Sequence, residues 1–308
     1  MSKPRVLGLV GPTASGKSAL ALLAAQALEG EIVCMDAMQV YRGMDIGTAK
    51  PTARERALAP HHLLDVADPD QPFSVADYLP LARAAINGIL ARGRLPVLCG
   101  GTGLYLRALS RGLSLGGTRA DPMIRARYQR LADSRGNEAV HAVLMERDPD
   151  TAARLHPNNL RRVIRALEVQ ELTGRPFSEQ TMPSDADGPY DMRLFALDWP
   201  REQIYQRIDR RAGRMLEEGL AEEVRSLLKG GLSPDAQSMQ GLGYKELVPY
   251  LEGRVTREQT VELLSRRTRN YAKRQLTWFR ADARIRWLAG GAQPRDLLDI
   301  IKKEMEAE

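Results

Sequence analysis

Gly11-Pro12-Thr13-Ala14-Ser15-Gly16-Lys17-Ser18 decides the reading of this chain. It fits the phosphate-binding loop at every fixed position: glycine, four residues, glycine, lysine, then serine or threonine. Arg5 to Val10 before it reads as a buried strand, and Ala19 to Leu28 after it reads as a helix. In that setting successive backbone N–H groups point into one concavity at a helix N-terminus and hold a polyphosphate. Lys17 adds a mobile positive charge, and the Ser18 hydroxyl is the candidate ligand for Mg2+. A glycine-rich turn without a ligand is the bland alternative; the strand and helix on either side select the phosphate site. The pattern specifies phosphate and leaves open which molecule carries it.

Working outward, the first hundred residues alternate strand and helix. Glu31–Met35 is a second strand ending at Asp36, His62–Val66 a short third, and Leu95–Cys99 another, ending in Gly100-Gly101-Thr102-Gly103. Ser74 to Asp77 has the form of a capping box opening a helix to about Arg92. This alternation predicts an α/β fold, a P-loop NTPase-like parallel sheet flanked by helices. Ligands of such sheets gather at the carboxyl ends of the strands, so the loop, Asp36 and Thr102 are expected to face one crevice. From 116 to 188 the chain becomes arginine-rich and helical in pattern. It reads as a smaller all-helical insertion, bounded by Gly116-Gly117 and by Pro183 to Pro189. The core is thus expected in two parts, 1–115 and 189–308. The second part holds a strand near 192–198, a helix from Arg201, a capping box at Thr256 to Gln259 opening a helix to about Arg280, a last strand near Arg284–Leu288 and a helix from Pro294.

The 308 residues carry a net charge of +6, with arginine far in excess of lysine. A basic balance permits nucleic acid without requiring it. Its distribution is more telling: between Leu263 and Ala281 there are six Arg/Lys and no acid. The two cysteines, Cys34 and Cys99, make neither a disulfide framework nor a metal-ligand pattern. No apolar run approaches bilayer length, and no signal-like segment precedes the first strand. The expectation is a cytoplasmic protein without membrane association, monomeric by default.

Several constellations could carry chemistry. Asp36, at the end of the strand beside the loop, can accept a proton from a nucleophile approaching a phosphate-bearing substrate; capping the next turn, or touching magnesium through water, is the alternative. Gly100 to Gly103 reads as a turn where backbone closely approaches a ligand, with Thr102 offering a hydroxyl. Arg207 and Arg211, four apart on a helix, suit a leaving diphosphate or merely an exposed cationic face. Arg161 and Arg165 share a helical face suited to phosphates or to solvent. Lys273-Arg274-Gln275-Leu276-Thr277-Trp278-Phe279-Arg280 mixes cations, amide, hydroxyl and aromatics that can track a nucleic-acid backbone, although Leu276 and Phe279 also fit core spacing. His61-His62 reads as structural.

Taken together these motifs resemble the bacterial tRNA dimethylallyltransferases, also called tRNA isopentenyltransferases. The resemblance rests on the loop, on Asp36-Ala37-Met38-Gln39-Val40-Tyr41 running into Gly43 to Pro51, and on Gly100-Gly101-Thr102. It continues through His156-Pro157-Asn158, Arg165 to Val169, Gly241-Leu242-Gly243-Tyr244 and Lys273 to Trp278. It covers nearly the whole chain in order. The stretch from Met44 to Pro51 discriminates far better than the loop, and Ala37 departs from the serine of many members. The resemblance implies transfer of a dimethylallyl group from dimethylallyl diphosphate to the adenine amine just 3′ of the anticodon, with release of diphosphate. Gly11 to Ser18 would hold the diphosphate, with Mg2+ on Ser18; Lys17 and Arg211 would stabilise its charge, Asp36 would accept the proton and Thr102 would orient the base. The anticodon stem-loop would meet Asp36-Ala37-Met38-Gln39, Thr102, Arg125, Arg161-Arg162-Val163-Ile164-Arg165, Gln240-Gly241-Leu242-Gly243-Tyr244-Lys245 and Lys273 to Arg280. A small-molecule or nucleotide kinase also suits the loop, Asp36 and the arginines. A non-enzymatic RNA-binding protein using the loop as a switch is a third reading.

Overall fold

In the computed structural model, which describes residues 3–111, 120–180 and 188–307, strand β1 (Arg5–Val10) feeds the loop and helix α1 (Lys17–Ala27) leaves it. Val6, Leu7, Leu9 and Val10 are all buried, because a strand inside a parallel sheet is covered on both faces. Then come β2 (Gly30–Cys34), α2 (Ala53–Leu58), β3 (His61–His62), α3 (Val75–Ala91), β4 (Leu95–Gly100) and α4 (Gly103–Arg111). Four helices follow: α5 (Pro122–Arg135), α6 (Asn137–Arg147), α7 (Pro149–Ala152) and α8 (Leu160–Thr173). The chain returns as β5 (Asp191–Asp198), α9 (Arg201–Glu217), α10 (Leu220–Lys229), α11 (Tyr244–Leu251), α12 (Arg257–Arg280), β6 (Ile285–Ala289) and α13 (Pro294–Glu306). The capping boxes expected at Ser74 and Thr256 both form.

Contacts divide the chain into two compact units, Met1–Ser110 with Asp187–Glu308, and Arg111–Ala186. The border expected at Gly116-Gly117, and residues 183–187 of the one expected over Pro183 to Pro189, lie outside the described residues.

The described strands make one parallel sheet in the order β3-β2-β4-β1-β5-β6. One expectation changes here. β4 lies between β2 and β1, pairing Cys99 with both Leu9 and Cys34. Asp36 therefore follows the second strand from the loop rather than its neighbour, a lateral offset of roughly 10 Å at two strand spacings. The third strand is also shorter than expected. Leu63 and Asp65 take left-handed φ of 65° and 57°, which ends the strand. The turn presents the Asp65 carboxylate to Lys50 at 2.7 Å and Arg56 at 2.9 Å.

Leu20, Ala21 and Ala24 of α1 and Leu297 and Ile301 of α13 close a core with Leu7, Leu9, Ile32, Val97 and Phe195 of the sheet. A second core joins Val40, Tyr41 and Met44 to Met215, Leu220, Val224, Tyr244 and Leu247. That core seats the segment after Asp36 against α9, α10 and α11.

The insertion has a core of its own, built on Tyr128, Val140, Leu144, Val163, Ile164 and Leu167. Glu168, wholly buried, accepts from Arg125 at 2.8 and 3.0 Å, from Arg165 at 2.6 Å and from the Asp121 N–H at 2.7 Å. Burial pushes its pKa upward, but the hydrogen bonds from Arg125, Arg165 and Asp121 outweigh this and the net shift is downward. The cluster's stabilisation is then complete above the unfolded glutamate pKa of about 4.3 and is lost as pH falls through the lowered folded value. Glu168→Gln is expected to cost about 2–3 kcal/mol at neutral pH. In thermal melts it should also flatten the acid limb of stability for this unit. A parallel displacement of the two curves at every pH would assign the acid limb to another group.

Candidate active site

The loop's shape follows from its glycines: Gly11 and Gly16 have φ of 123° and 97°, a region closed to most side chains. Ala14 shares it at 62°, held there by its surroundings. Several of the loop's backbone groups are spent on protein partners. Lys17 Nζ donates to Pro12 O at 3.1 Å, Leu20 N to Gly16 O at 3.2 Å, and Thr13 N to Gln275 Oε1 at 2.9 Å. Arg207 Nε donates to Ala14 O and Trp199 Nε1 to Ser15 O, each at 2.8 Å. The amides of residues 14 to 18 have no such partner among the described residues. They stand at the positive end of α1, whose first turn holds no acid, as an anion site requires.

A cavity of about 410 Å3 opens from this loop. Thr13, Lys17 and Ser18 form one end; Asp36 to Gln39, Gly47 to Ala49 and the β4 end at Cys99-Gly100 form a side. Helix α9 contributes Ile208, Arg211, Ala212 and Met215, and α12 contributes Leu264, Thr268, Tyr271, Arg274 and Gln275. Gln240, Gly241, Leu242 and Lys245 complete the wall. Asp36, Lys17 and Arg211 act on one another. Burial lowers the pKa of Lys17, the Asp36 carboxylate pulls it back up, and Arg211 lowers it further. Burial likewise lowers Arg211, against the raising effect of Asp36. One carboxylate thus faces two desolvated cations, an arrangement that turns strongly attractive when a polyanion enters.

Asp36 Oδ1 accepts the Met38 N–H at 2.9 Å, which fixes the carboxylate on the turn after β2. Thr102 Oγ1 accepts the Ala37 N–H at 3.1 Å, and the Thr102 N–H donates to Met35 O at 3.2 Å. Thr102 therefore braces the turn that carries Asp36 from behind; it is not among the cavity's lining residues.

Other expected site residues turn out to be framework. The close approaches at Gly100, Gly101 and Gly103 are to protein: a side chain at these positions would strike the Met35 backbone, the Gln275 amide and the Trp278 ring. Gln275, grouped above with an RNA surface, is buried and bridges the Thr13 N–H to Gly101 O. Gln39 spends its amide on Thr48 O and Ala49 O and accepts from the Cys34 thiol. Tyr244 is buried against Gly47, its hydroxyl donating to Glu223 at 2.7 Å. Phe279 is core, as are Val163 and Ile164 in the insertion, while Arg125 and Arg165 serve Glu168. Arg207 grips the loop from outside, and of the arginine pair Arg211 alone lines the cavity. Arg161, Arg162, Gln240, Lys273, Arg274, Thr277 and Arg280 are exposed.

The Met44 to Pro51 stretch also gains a physical account. Glu223 of α10 accepts the N–H groups of Asp45, Ile46 and Gly47 at 2.9, 2.7 and 3.2 Å. Lys50 is buried and donates to Tyr41 O, Asp45 and Asp65. The segment is a rigid wall whose Gly47–Ala49 edge borders the cavity. The apolar lining from Ile208, Ala212, Met215, Leu264 and Tyr271 was missed in the sequence. Its signal was there, since 208, 212 and 215 fall on one helical face, but that spacing reads equally as core.

The donor set suits magnesium in one limited way. Ser18 presents a hard oxygen to the cavity, while no group of three His, Cys, Asp or Glu among the described residues could hold a metal alone. That fits an ion which keeps most of its waters and arrives with a phosphate ligand.

Known proteins resemble this chain along almost its whole length. A family model described as IPP transferase matches residues 39–282. The tRNA dimethylallyltransferase 1 of Trichlorobacter lovleyi is 51% identical over 288 residues, 93% of this chain and 94% of that protein. The tRNA dimethylallyltransferase of Pelotomaculum thermopropionicum is 49% identical over 286 residues, 93% and 91% of the two chains. Among solved structures, the tRNA isopentenylpyrophosphate transferase from Bacillus halodurans superposes with a TM-score of 0.73 at 44% identity, covering 99% of this chain and 97% of that one. A eukaryotic dimethylallyltransferase acting on tRNA gives 0.82 at 28% identity, covering 98% and 79%. With loop, carboxylate and arginine gathered on one cavity and relatives matched along almost its whole length, the chain belongs to the IPP transferase family of tRNA dimethylallyltransferases.

Proposed function

We propose that this protein transfers a dimethylallyl group from dimethylallyl diphosphate to the exocyclic amine of the adenosine 3′ of the anticodon in tRNA, releasing diphosphate. The observation that carries the reading is the single cavity lined by Lys17, Ser18, Arg211 and Asp36 together with apolar side chains from α9 and α12. Breaking the allylic carbon–oxygen bond builds negative charge on the departing diphosphate. The amides of 14 to 18, Lys17 and Arg211 stabilise that charge from fixed positions. Mg2+ held through the Ser18 hydroxyl and the diphosphate itself would neutralise part of the leaving group's charge. The five-carbon chain lies against Ile208, Ala212, Met215 and Leu264. The adenine amine is a weak nucleophile, because its lone pair is delocalised into the ring. Asp36 accepts its hydrogen bond and takes its proton as the new carbon–nitrogen bond forms. An adenine stacked within the anticodon loop cannot reach this depth, so it enters everted, at a cost of a few kcal/mol.

Incubation with dimethylallyl diphosphate, magnesium and unmodified tRNA tests the reading by mass analysis of the tRNA nucleosides. Prenylated adenosine is expected. Its absence with competent tRNA, or transfer of a labelled γ-phosphate from ATP to a small acceptor, would overturn it.

The tRNA meets the exposed cations Arg161 and Arg162 on α8 and Lys273, Arg274 and Arg280 on α12, with half-buried Lys245 beside the cavity. Each phosphate contact releases counterions. Arg161→Ala with Arg162→Ala is therefore expected to weaken tRNA binding and lower the slope of log K against log salt by about 1–2. An unchanged slope would put those side chains in solvent. tRNA as substrate places the work in the cytoplasm; among the described residues no helix is long and apolar enough to cross a membrane.

A further inference from the structure

We infer that Arg207 and Trp199 are positioning residues for the diphosphate, gripping the outer edge of the phosphate loop so that its amides already face the cavity before substrate arrives. The inference rests on the proposed diphosphate site and goes beyond it, since neither side chain is among those lining the cavity. A peptide plane is rigid, and its C=O and the following N–H point in opposite directions. Fixing Ala14 O outward therefore aims the Ser15 N–H inward, and fixing Ser15 O outward aims the Gly16 N–H inward. Those two carbonyls are the ones held, by Arg207 Nε and Trp199 Nε1, both at 2.8 Å. Without these donors both carbonyls would lack a partner in a half-buried loop, and the planes would gain by turning.

The clamp is itself anchored. The Arg207 guanidinium lies over the Trp199 ring, 4.3 Å from its centroid. Trp199 follows directly on β5, and Gly290, just past β6, leaves room for its indole, since any side chain there would collide with the ring. Arg207 and Arg211 sit one turn apart on α9. The same helix thus holds the loop's back through one arginine and presents a cation to the cavity through the other. Ala14, the non-glycine residue of the loop in left-handed conformation, carries the first of the clamped carbonyls. Its strain is what such a clamp would have to hold.

The test uses two donor-deleting variants and one rescue variant of the whole protein, with inorganic pyrophosphate as probe. Trp199→Phe keeps an aromatic face under Arg207 and removes the N–H together with the second ring; Arg207→Ala removes the other donor, and Arg207→Lys restores a cation that can reach Ala14 O. Titration calorimetry with pyrophosphate and magnesium should show binding weakened about tenfold in Trp199→Phe and in Arg207→Ala, as loss of one hydrogen bond allows. Arg207→Lys should recover part of that loss. The KM for dimethylallyl diphosphate should rise in step, while the KM for tRNA and the melting temperature stay close to those of the parent. Pyrophosphate affinity within about twofold of the parent in both variants (a difference of roughly 0.4 kcal/mol) would overturn the inference. So would equal rises in both KM values with a lowered melting temperature, which would mark an ordinary structural role. If the parent itself binds no pyrophosphate, the diphosphate site falls and this inference with it; parent binding with unaffected variants defeats the clamp alone.

Discussion

Asp36→Asn should lower single-turnover prenyl transfer by about 10²–10⁴-fold, the range for loss of a positioned general base, without weakening diphosphate binding. Asparagine keeps the side-chain oxygen that accepts the Met38 N–H at 2.9 Å, so the turn after β2 survives. It cannot take the amine's proton. Its effect on the other substrate has a definite sign. The Asp36 charge acts on both Lys17 and Arg211 and repels an incoming polyanion. Removing it should leave pyrophosphate affinity unchanged or raise it. Rapid-quench turnover and pyrophosphate calorimetry on the same preparation separate the two effects. A joint fall in rate and affinity would make Asp36 a support of the loop instead of the base.

The second large effect is expected at Lys17. Lys17→Met keeps the length of the side chain and removes its charge. Leaving-group charge grows as the carbon–oxygen bond breaks, so the loss should be greater in the transition state than in the bound substrate. A fall in kcat of about 10²–10³-fold is expected, with a smaller rise in KM. A raised KM at unchanged kcat would instead mean that Lys17 binds ground state and transition state alike. The same residue gives a pH dependence. Burial lowers the pKa of its amine in the free protein, and bound diphosphate favours the charged form. Diphosphate affinity should therefore decline as pH rises through the lowered value, and Lys17→Met should lose that component of the decline.

Much of this molecule is legible in short stretches of the chain. The loop from Gly11 to Ser18 announces its strand, its turn and its helix. Ser74 and Thr256 announce helix starts, since each cap is satisfied within three residues. The strands β1, β2 and β4 are legible as apolar runs. Strand order is not. β4 comes third among these in the chain yet lies between the other two, because the connection after β2 is long enough to permit either placement.

The candidate site divides the same way. Lys17, Ser18, Asp36 and Arg211 were found from residue type and local spacing, and they meet on the cavity. Gln39, Tyr244 and Gln275 occur in equally telling motifs, yet each points its polar atoms at backbone, a thiol or the Glu223 carboxylate. Sequence fixes which groups can donate and accept; it does not name their partners. Gln275 and the Thr13 N–H that it holds are 262 positions apart. The chain alone determined the chemistry available: an anion cradle, a carboxylate and a pair of arginines on an alternating α/β frame. Only the tertiary structure decided which polar side chains are free to meet substrate and which are spent holding the cradle, because a hydrogen bond is assigned by proximity in space, and that proximity comes from the packing of distant elements.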